Sequence, residues 1–271
     1  YGIEYAFADS LAAASFEAKI QSNTKVIYVE TPSNPLMKIV DLKAIAALAK
    51  KHQLISMIDN TFSSPVNQNP IAFGIDIVLH SATKYLGGHS DILAGAVACS
   101  AAHMERIFSI AKSLGGNLSD ISAWLLERSI KTLAIRVKQQ NENALALAHF
   151  LENHTLISKV YYPGLPSHPD HALAKQQMQG FTGMMSFEVA DGVDRASFEK
   201  NLTIIQPVVS LAGVESTITI PAITSHKLLS AEGRAKQGIT DNLVRFSVGI
   251  ESLEDLKRDL DNALKNASHE S

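Results

Sequence analysis

The sequence predicts an α/β fold: a mostly parallel sheet flanked by helices, followed by a smaller α+β unit. Two observations over residues 1–100 predict the first part. Short, almost wholly apolar runs rich in β-branched residues alternate with amphipathic helical segments, and strands that read as buried on both faces belong to parallel sheets. The third observation is a change of pattern: after the turn-rich stretch YYPGLPSHPDH (161–171) come two further strand-like runs and a closing helix.

Taken in order, YGIEYAF (1–7) reads as strand-like. KVIYVE (25–30) is a β-branched strand. DLKAIAALAKKH (41–52) sets Leu42, Ile45, Leu48 and Ala49 at helical spacing, with lysines on the other face. LISMID (54–59), IDIVLH (75–80) and ILAGAVA (92–98) complete the first sheet. Residues 101–150 read as helical throughout. The run from Ser119 to His149 contains no proline or glycine, so it either breaks once or bridges two domains. GMMSFEV (183–189) and LVRFSVG (243–249) are strands of the smaller sheet, and 252–267 is a helix with Ser252 as its N-cap. The expected domains are 1–137, a large domain incomplete at its N-terminus, and 138–271.

Composition removes several function classes. The net charge is −3 and no basic run is present, which argues against nucleic acid or a membrane surface as partner. No apolar segment approaches the ~18 residues of a membrane span. The single cysteine, Cys99, precludes an internal disulfide framework and suits the cytoplasm; its apolar setting, AGAVAC, reads as packing. His80, His89, His154, His168, His171 and His226 show no metal-ligand spacing, so no metal is expected. Trp124 reads as helix packing.

Ligands of parallel sheets bind at the carboxyl ends of the strands, and the chemistry-bearing residues gather there. TPSNP (31–35) follows the first strand and by itself is an ordinary proline turn. Asp59 ends the second, where a carboxylate needs a cation, several hydrogen bonds or a helix to cap. Ser81, Thr83 and Lys84 follow the third, with Gly87 and Gly88 behind them. LGGHS lacks the GxxxxGK[ST] spacing of a nucleotide phosphate loop. Two hydroxyls beside one lysine suit a different task, in which hydroxyls and amides hold a small phosphate while the amine meets an aldehyde on the same molecule. Pyridoxal phosphate is such a molecule. It needs a partly neutral lysine, and a carboxylate against its ring nitrogen, which Asp59 can supply. Arg245, between Val244 and Phe246, is either a solvated strand residue or a fork for a carboxylate.

The ordered set ETPSNP, IDNTF, SATKYLGGHSD, YYPGLPSHP, AGVES and LVRFSVGIE resembles the Cys/Met-metabolism (transsulfuration) family of pyridoxal-phosphate enzymes, from residue 1 to about residue 267. The resemblance implies the fold type I (aspartate-aminotransferase-like) architecture and a homotetramer built from tight dimers. It implies that Lys84 bonds to the cofactor aldehyde, Asp59 faces the pyridine nitrogen, and Ser81 and Thr83 bind the phosphate. It also implies that Asn34 touches cofactor and substrate carboxylate, and that Arg245 clamps that carboxylate with help from Ser210. The family carries an N-terminal segment with further phosphate- and ring-binding residues, and these are not among the 271. Where the family usually reads SLGG, this sequence has Ala212 in place of a glycine, expected to tighten the pocket slightly.

The activity implied is carbon–sulfur lysis of a sulfur amino acid. Val209 occupies a position that the family usually makes acidic in γ-synthases and cystathionine γ-lyases. It is apolar in methionine γ-lyases and some bacterial β-lyases. Valine removes a charge-assisted contact of about 1.5–3 kcal/mol to a distal ammonium. The expectation is therefore cystathionine β-lyase activity, releasing homocysteine, pyruvate and ammonia. A γ-synthase, a methionine γ-lyase or a cystathionine γ-lyase is the alternative. An aminotransferase would use the same Lys84 and Asp59, and an inactive fragment or scaffold is the alternative of a different class.

Overall fold

The computed structural model describes residues 2–268. The N-terminal part contains α1 (Ala13–Glu17), β1 (Val26–Glu30), α2 (Leu42–Lys51), β2 (Ile55–Asp59), α3 (Ser64–Asn67), β3 (Ile77–Ser81) and β4 (Gly95–Cys99). The long helices α4 (Ala101–Leu114), α5 (Asp120–Ile130) and α6 (Leu133–Glu152) follow. The sheet order is β1-β2-β3-β4, with β1–β2 and β2–β3 parallel and β3–β4 antiparallel. Its first face packs on α2: Ile27, Val29, Ile58 and Val78 meet Leu42, Ile45, Leu48 and Ala49. The Asp41 side chain accepts the Ala44 N–H at 3.0 Å and fixes where α2 starts, a cap worth about 1 kcal/mol.

Several expectations need correction. The strands are not buried on both faces: Val26, Tyr28 and Val97 are exposed on the side away from α2, Tyr28 by 52%. Residues 2–9 form no strand; Tyr1 lies outside the described residues. The helical stretch 101–150 is broken twice. Gly115, at φ 74°, caps α4, and a turn at Lys131–Thr132 separates α5 from α6. Trp124 is not packed but 62% exposed, and Cys99 is only partly buried. Ser252 sits at the start of the last helix without a capping hydrogen bond from its side chain.

The C-terminal part contains β5 (Ile157–Tyr161), α7 (His171–Gln177), β6 (Met184–Val189), α8 (Arg195–Asn201), β7 (Gln206–Pro207), β8 (Thr217–Thr219), α9 (Ala231–Gln237), β9 (Leu243–Ser247) and α10 (Leu253–Ala267). Its five strands run in the order β5-β6-β9-β8-β7. Strict alternation sorts them: Met185, Phe187, Ile218, Val244 and Phe246 enter the core against α10, where Leu256, Leu260 and Leu264 recur every fourth residue. Ser186, Thr219 and Arg245 take the opposite phase; they are aligned across β6, β8 and β9 and buried. Helix α6 belongs to both cores. Leu133 and Val137 pack with Tyr85 and Leu86, while Ala144, Leu147 and Leu151 pack with the C-terminal sheet.

Candidate active site

Because β1, β2 and β3 run parallel, the loops after them emerge on one edge. Glu30 lies opposite Asp59, and Asp59 opposite Leu79. Asp59 Oδ1 accepts the Thr61 N–H at 2.9 Å, and the Thr61 hydroxyl accepts the Ser81 N–H at 2.8 Å, so the second and third loops are stitched together. The first loop joins them through Thr31, whose carbonyl accepts the Ser63 hydroxyl at 3.2 Å.

Lys84 stands in the third loop, half-buried, with no ion pair or side-chain hydrogen bond among the described residues. Burial and, after it, the Arg245 charge lower its pKa, which raises the neutral fraction of the amine. The backbone around it is closed tightly: Gly88 N–H donates to the Lys84 carbonyl at 2.6 Å and Gly87 N–H to that of Ala82 at 2.8 Å. Gly88 has φ +70°, and a Cβ there would strike the Arg136 guanidinium, so glycine is required twice over. The Ser81 hydroxyl has no hydrogen-bond partner among the described residues. That of Thr83 is engaged with Ala94, donating to its carbonyl at 3.3 Å and accepting its N–H at 3.0 Å.

The second sheet supplies Arg245, buried at 3% exposure. It donates to the Val209 carbonyl at 2.8 Å and to the Asn34 side-chain oxygen at 3.4 Å, with no carboxylate against it among the described residues, and burial lowers its pKa to about 10. A buried cation served only by neutral oxygens retains capacity for an anion. The structure thus brings Asn34, Arg245 and the Val209 backbone together. Ser210 is exposed; its carbonyl accepts the Thr217 hydroxyl, and its side chain makes no hydrogen bond to Arg245. Ala212 has φ +61° and is fully buried, its N–H bonded to the Ser247 hydroxyl at 2.6 Å. The left-handed conformation explains why glycine suits this position, and alanine bears about 1–2 kcal/mol of strain there.

A profile of the family described as "Cys/Met metabolism PLP-dependent enzyme" matches residues 1–265. The chain belongs to that family. It is 47% identical over 265 residues to cystathionine beta-lyase of Lactococcus lactis subsp. cremoris MG1363, covering 97% of this chain and 70% of the relative. It is 46% identical over 266 residues to cystathionine gamma-lyase of Bacillus subtilis 168, covering 98% and 70%. The crystal structure of cystathionine gamma-lyase from Lactobacillus plantarum complexed with L-serine superposes with a TM-score of 0.91 at 45% identity, covering 94% of this chain and 67% of that one. The fold is fold type I, the cofactor is pyridoxal 5′-phosphate, and the chain is a transsulfuration enzyme acting on a small molecule.

The residues present fit that cofactor. An unpaired, half-buried amine of lowered pKa is the group an aldehyde needs, and an unengaged hydroxyl stands three residues before it. Among the described residues no helix is long and apolar enough to cross a membrane.

Two groups at this centre were not expected from the sequence. Glu30 is the last residue of β1 and lies with Val26 and Tyr28 on its exposed face, which the apolar run VIYVE does not reveal in the sequence. Arg136, 4% exposed, donates to the carbonyls of Tyr85, Leu86 and Ser129 and to the Thr132 hydroxyl. An arginine one turn from the start of an apolar-striped helix was the available signal.

Proposed function

We propose that the enzyme catalyses β-elimination of cystathionine, with water taken up overall, to homocysteine, pyruvate and ammonia. Pyridoxal phosphate, when bound, supplies an aldehyde that links to amines and a ring that accepts an electron pair from the substrate's α-carbon. Lys84 would hold that aldehyde, and its amine, once free, would take the substrate's α-proton as the Cβ–S bond breaks and the thiolate leaves. Asp59 would favour the protonated ring nitrogen, and the Ser81 hydroxyl would bind the phosphate, joined by that of Thr83 once it gives up its bond to the Ala94 carbonyl. Arg245 and Asn34 fix the substrate carboxylate, with Ser210 at the rim.

The observation that carries β- over γ-elimination is Val209. Its carbonyl is bound to Arg245 at 2.8 Å, so its side chain, 56% exposed, sits beside the carboxylate clamp and offers no charge to a distal ammonium. Cleavage at Cγ would in addition need a second proton removed from Cβ. The test is product analysis on the holoenzyme given cystathionine, methionine, or O-acyl-homoserine plus cysteine. Pyruvate with homocysteine supports the proposal; 2-oxobutyrate or newly formed cystathionine as the main product refutes it.

The same reading places the division between the large and small domains at 137/138, within α6, and the enzyme in the cytoplasm, in keeping with its single cysteine. Association as a homotetramer is supported by the exposed Phe108, Ile110 and Leu114 of α4 and Ile121 and Trp124 of α5.

A further inference from the structure

Glu30 has no task in the mechanism above. It ends β1 directly opposite Asp59, so two carboxylates leave adjacent parallel strands on one face. A like charge beside Asp59 is unfavourable unless it does something else. Glu30 Oε1 accepts the backbone N–H of Asn34 at 3.0 Å and so braces the 31–35 turn from its own strand. The turn is held elsewhere too: the Ser33 N–H donates to the Lys38 carbonyl, the Ser33 carbonyl accepts the Met37 N–H, the Thr31 hydroxyl accepts the Val40 N–H, and the Pro35 carbonyl accepts the Ser186 hydroxyl, so that Glu30 is what holds the Asn34 amide itself. Asn34 then presents its side-chain oxygen to Arg245.

The titratable groups around the carboxylate pair are Tyr28 on β1, Asp59 on β2 and His80 on β3; Arg245, from β9, is reached through Asn34. Glu30 is solvent-exposed by area, yet its strand end is crowded. Desolvation pushes its pKa up, the Asn34 N–H pulls it down and Asp59 pushes it up again, to about 7.

We propose that Glu30 is a positioning residue, whose carboxylate aims Asn34 at the substrate carboxylate through the Asn34 amide and slackens that hold when it is protonated. This rests on the reading of Asn34 and Arg245 as the carboxylate clamp. Above about pH 7 the bond to the amide is charge-assisted, and below it a neutral acid is the weaker acceptor. Amino-acid binding therefore tightens as pH rises through this range.

The test uses the holoenzyme and L-alanine, an amino acid with no leaving group, titrated through the visible spectrum of the bound cofactor from about pH 6 to about pH 8.5. Glu30→Gln keeps an acceptor oxygen of similar size but cannot ionise; Glu30→Ala removes the acceptor. The wild-type dissociation constant is expected to fall roughly three- to tenfold across this range beyond the change Glu30→Gln shows, with Glu30→Ala weak throughout. Ionisation of the L-alanine amine is common to all and cancels in the comparison. Superimposable pH profiles for wild type and Glu30→Gln overturn the proposal. Arg245→Lys separates the two readings. If it binds L-alanine as wild type does, the clamp is misassigned and the proposal falls with it. If it binds weakly while Glu30→Gln follows wild type, the role of Glu30 alone falls.

Discussion

Arg245 on the C-terminal sheet donates to Asn34, in the first loop of the N-terminal sheet, across 3.4 Å. Two residues 211 apart in sequence are thus in direct hydrogen-bond contact. Truncating Arg245 to alanine should raise KM for an amino-acid substrate on the order of 100-fold, with a smaller effect on kcat. Arg245→Lys should fall between, because a lysine cannot fork. Steady-state kinetics check both, and an unchanged KM would place the carboxylate elsewhere.

Lys84→Ala should abolish the visible band, near about 420 nm, that pyridoxal phosphate gives with the wild type. Its thermal unfolding should stay close to wild type, because the side chain is half-buried and makes no hydrogen bond or ion pair among the described residues. The pH dependence of cofactor attachment carries a second check. Burial and, after it, Arg245 lower the lysine pKa, so Arg245→Met should move the midpoint for attachment to higher pH. A midpoint that stays put would mean that the two charges do not communicate.

Replacing Asp59 with alanine should leave the lysine-bound cofactor detectable while turnover drops by about 100-fold or more, since the ring loses the charge that favours its protonated form. Retained turnover would remove Asp59 from that role.

Asp259, on α10, concerns stability and not catalysis. Burial pushes its pKa up, but the N–H groups of Ile205, Thr203 and Ile204 and the Thr203 hydroxyl together outweigh burial and hold it below the ordinary value. A depressed carboxylate stabilises the fold above its unfolded pKa, and that contribution is lost as pH falls through the folded one. Asp259→Ala leaves three backbone donors unpaired and should cost about 2–4 kcal/mol at neutral pH, less in acid. Urea unfolding of both proteins at about pH 7 and about pH 3 measures the difference.

Much of this was legible in the sequence for identifiable reasons. β1, β2 and β3 stand out as short apolar, β-branched runs and α2 as a helical spacing of apolar residues, and Lys84 is conspicuous because an amine directly after an apolar strand needs a purpose. What could not be read depended on contacts distant along the chain. Runs such as VIYVE carry no mark that one face stays exposed, since Tyr28 and Val26 are as apolar as buried strand residues. The break between α5 and α6 involves no glycine or proline. Thr132 donates its hydroxyl to the Ser129 carbonyl while Arg136 bonds to both, so side chains take over the carbonyl that would continue the helix. Glu30 looked like the end of a strand until its partner, the Asn34 amide, was in view.

Helix α6 runs without interruption from the packing beneath Tyr85 and Leu86 to the centre of the second sheet. A substitution among the core residues of this shaft is therefore felt by one core or the other. The stretch 208–229 beside Arg245 is different: Val208, Val209, Ile223 and Leu228 lie open to solvent there. Evolution of a new leaving-group preference has that rim to work on while the shaft underneath stays fixed.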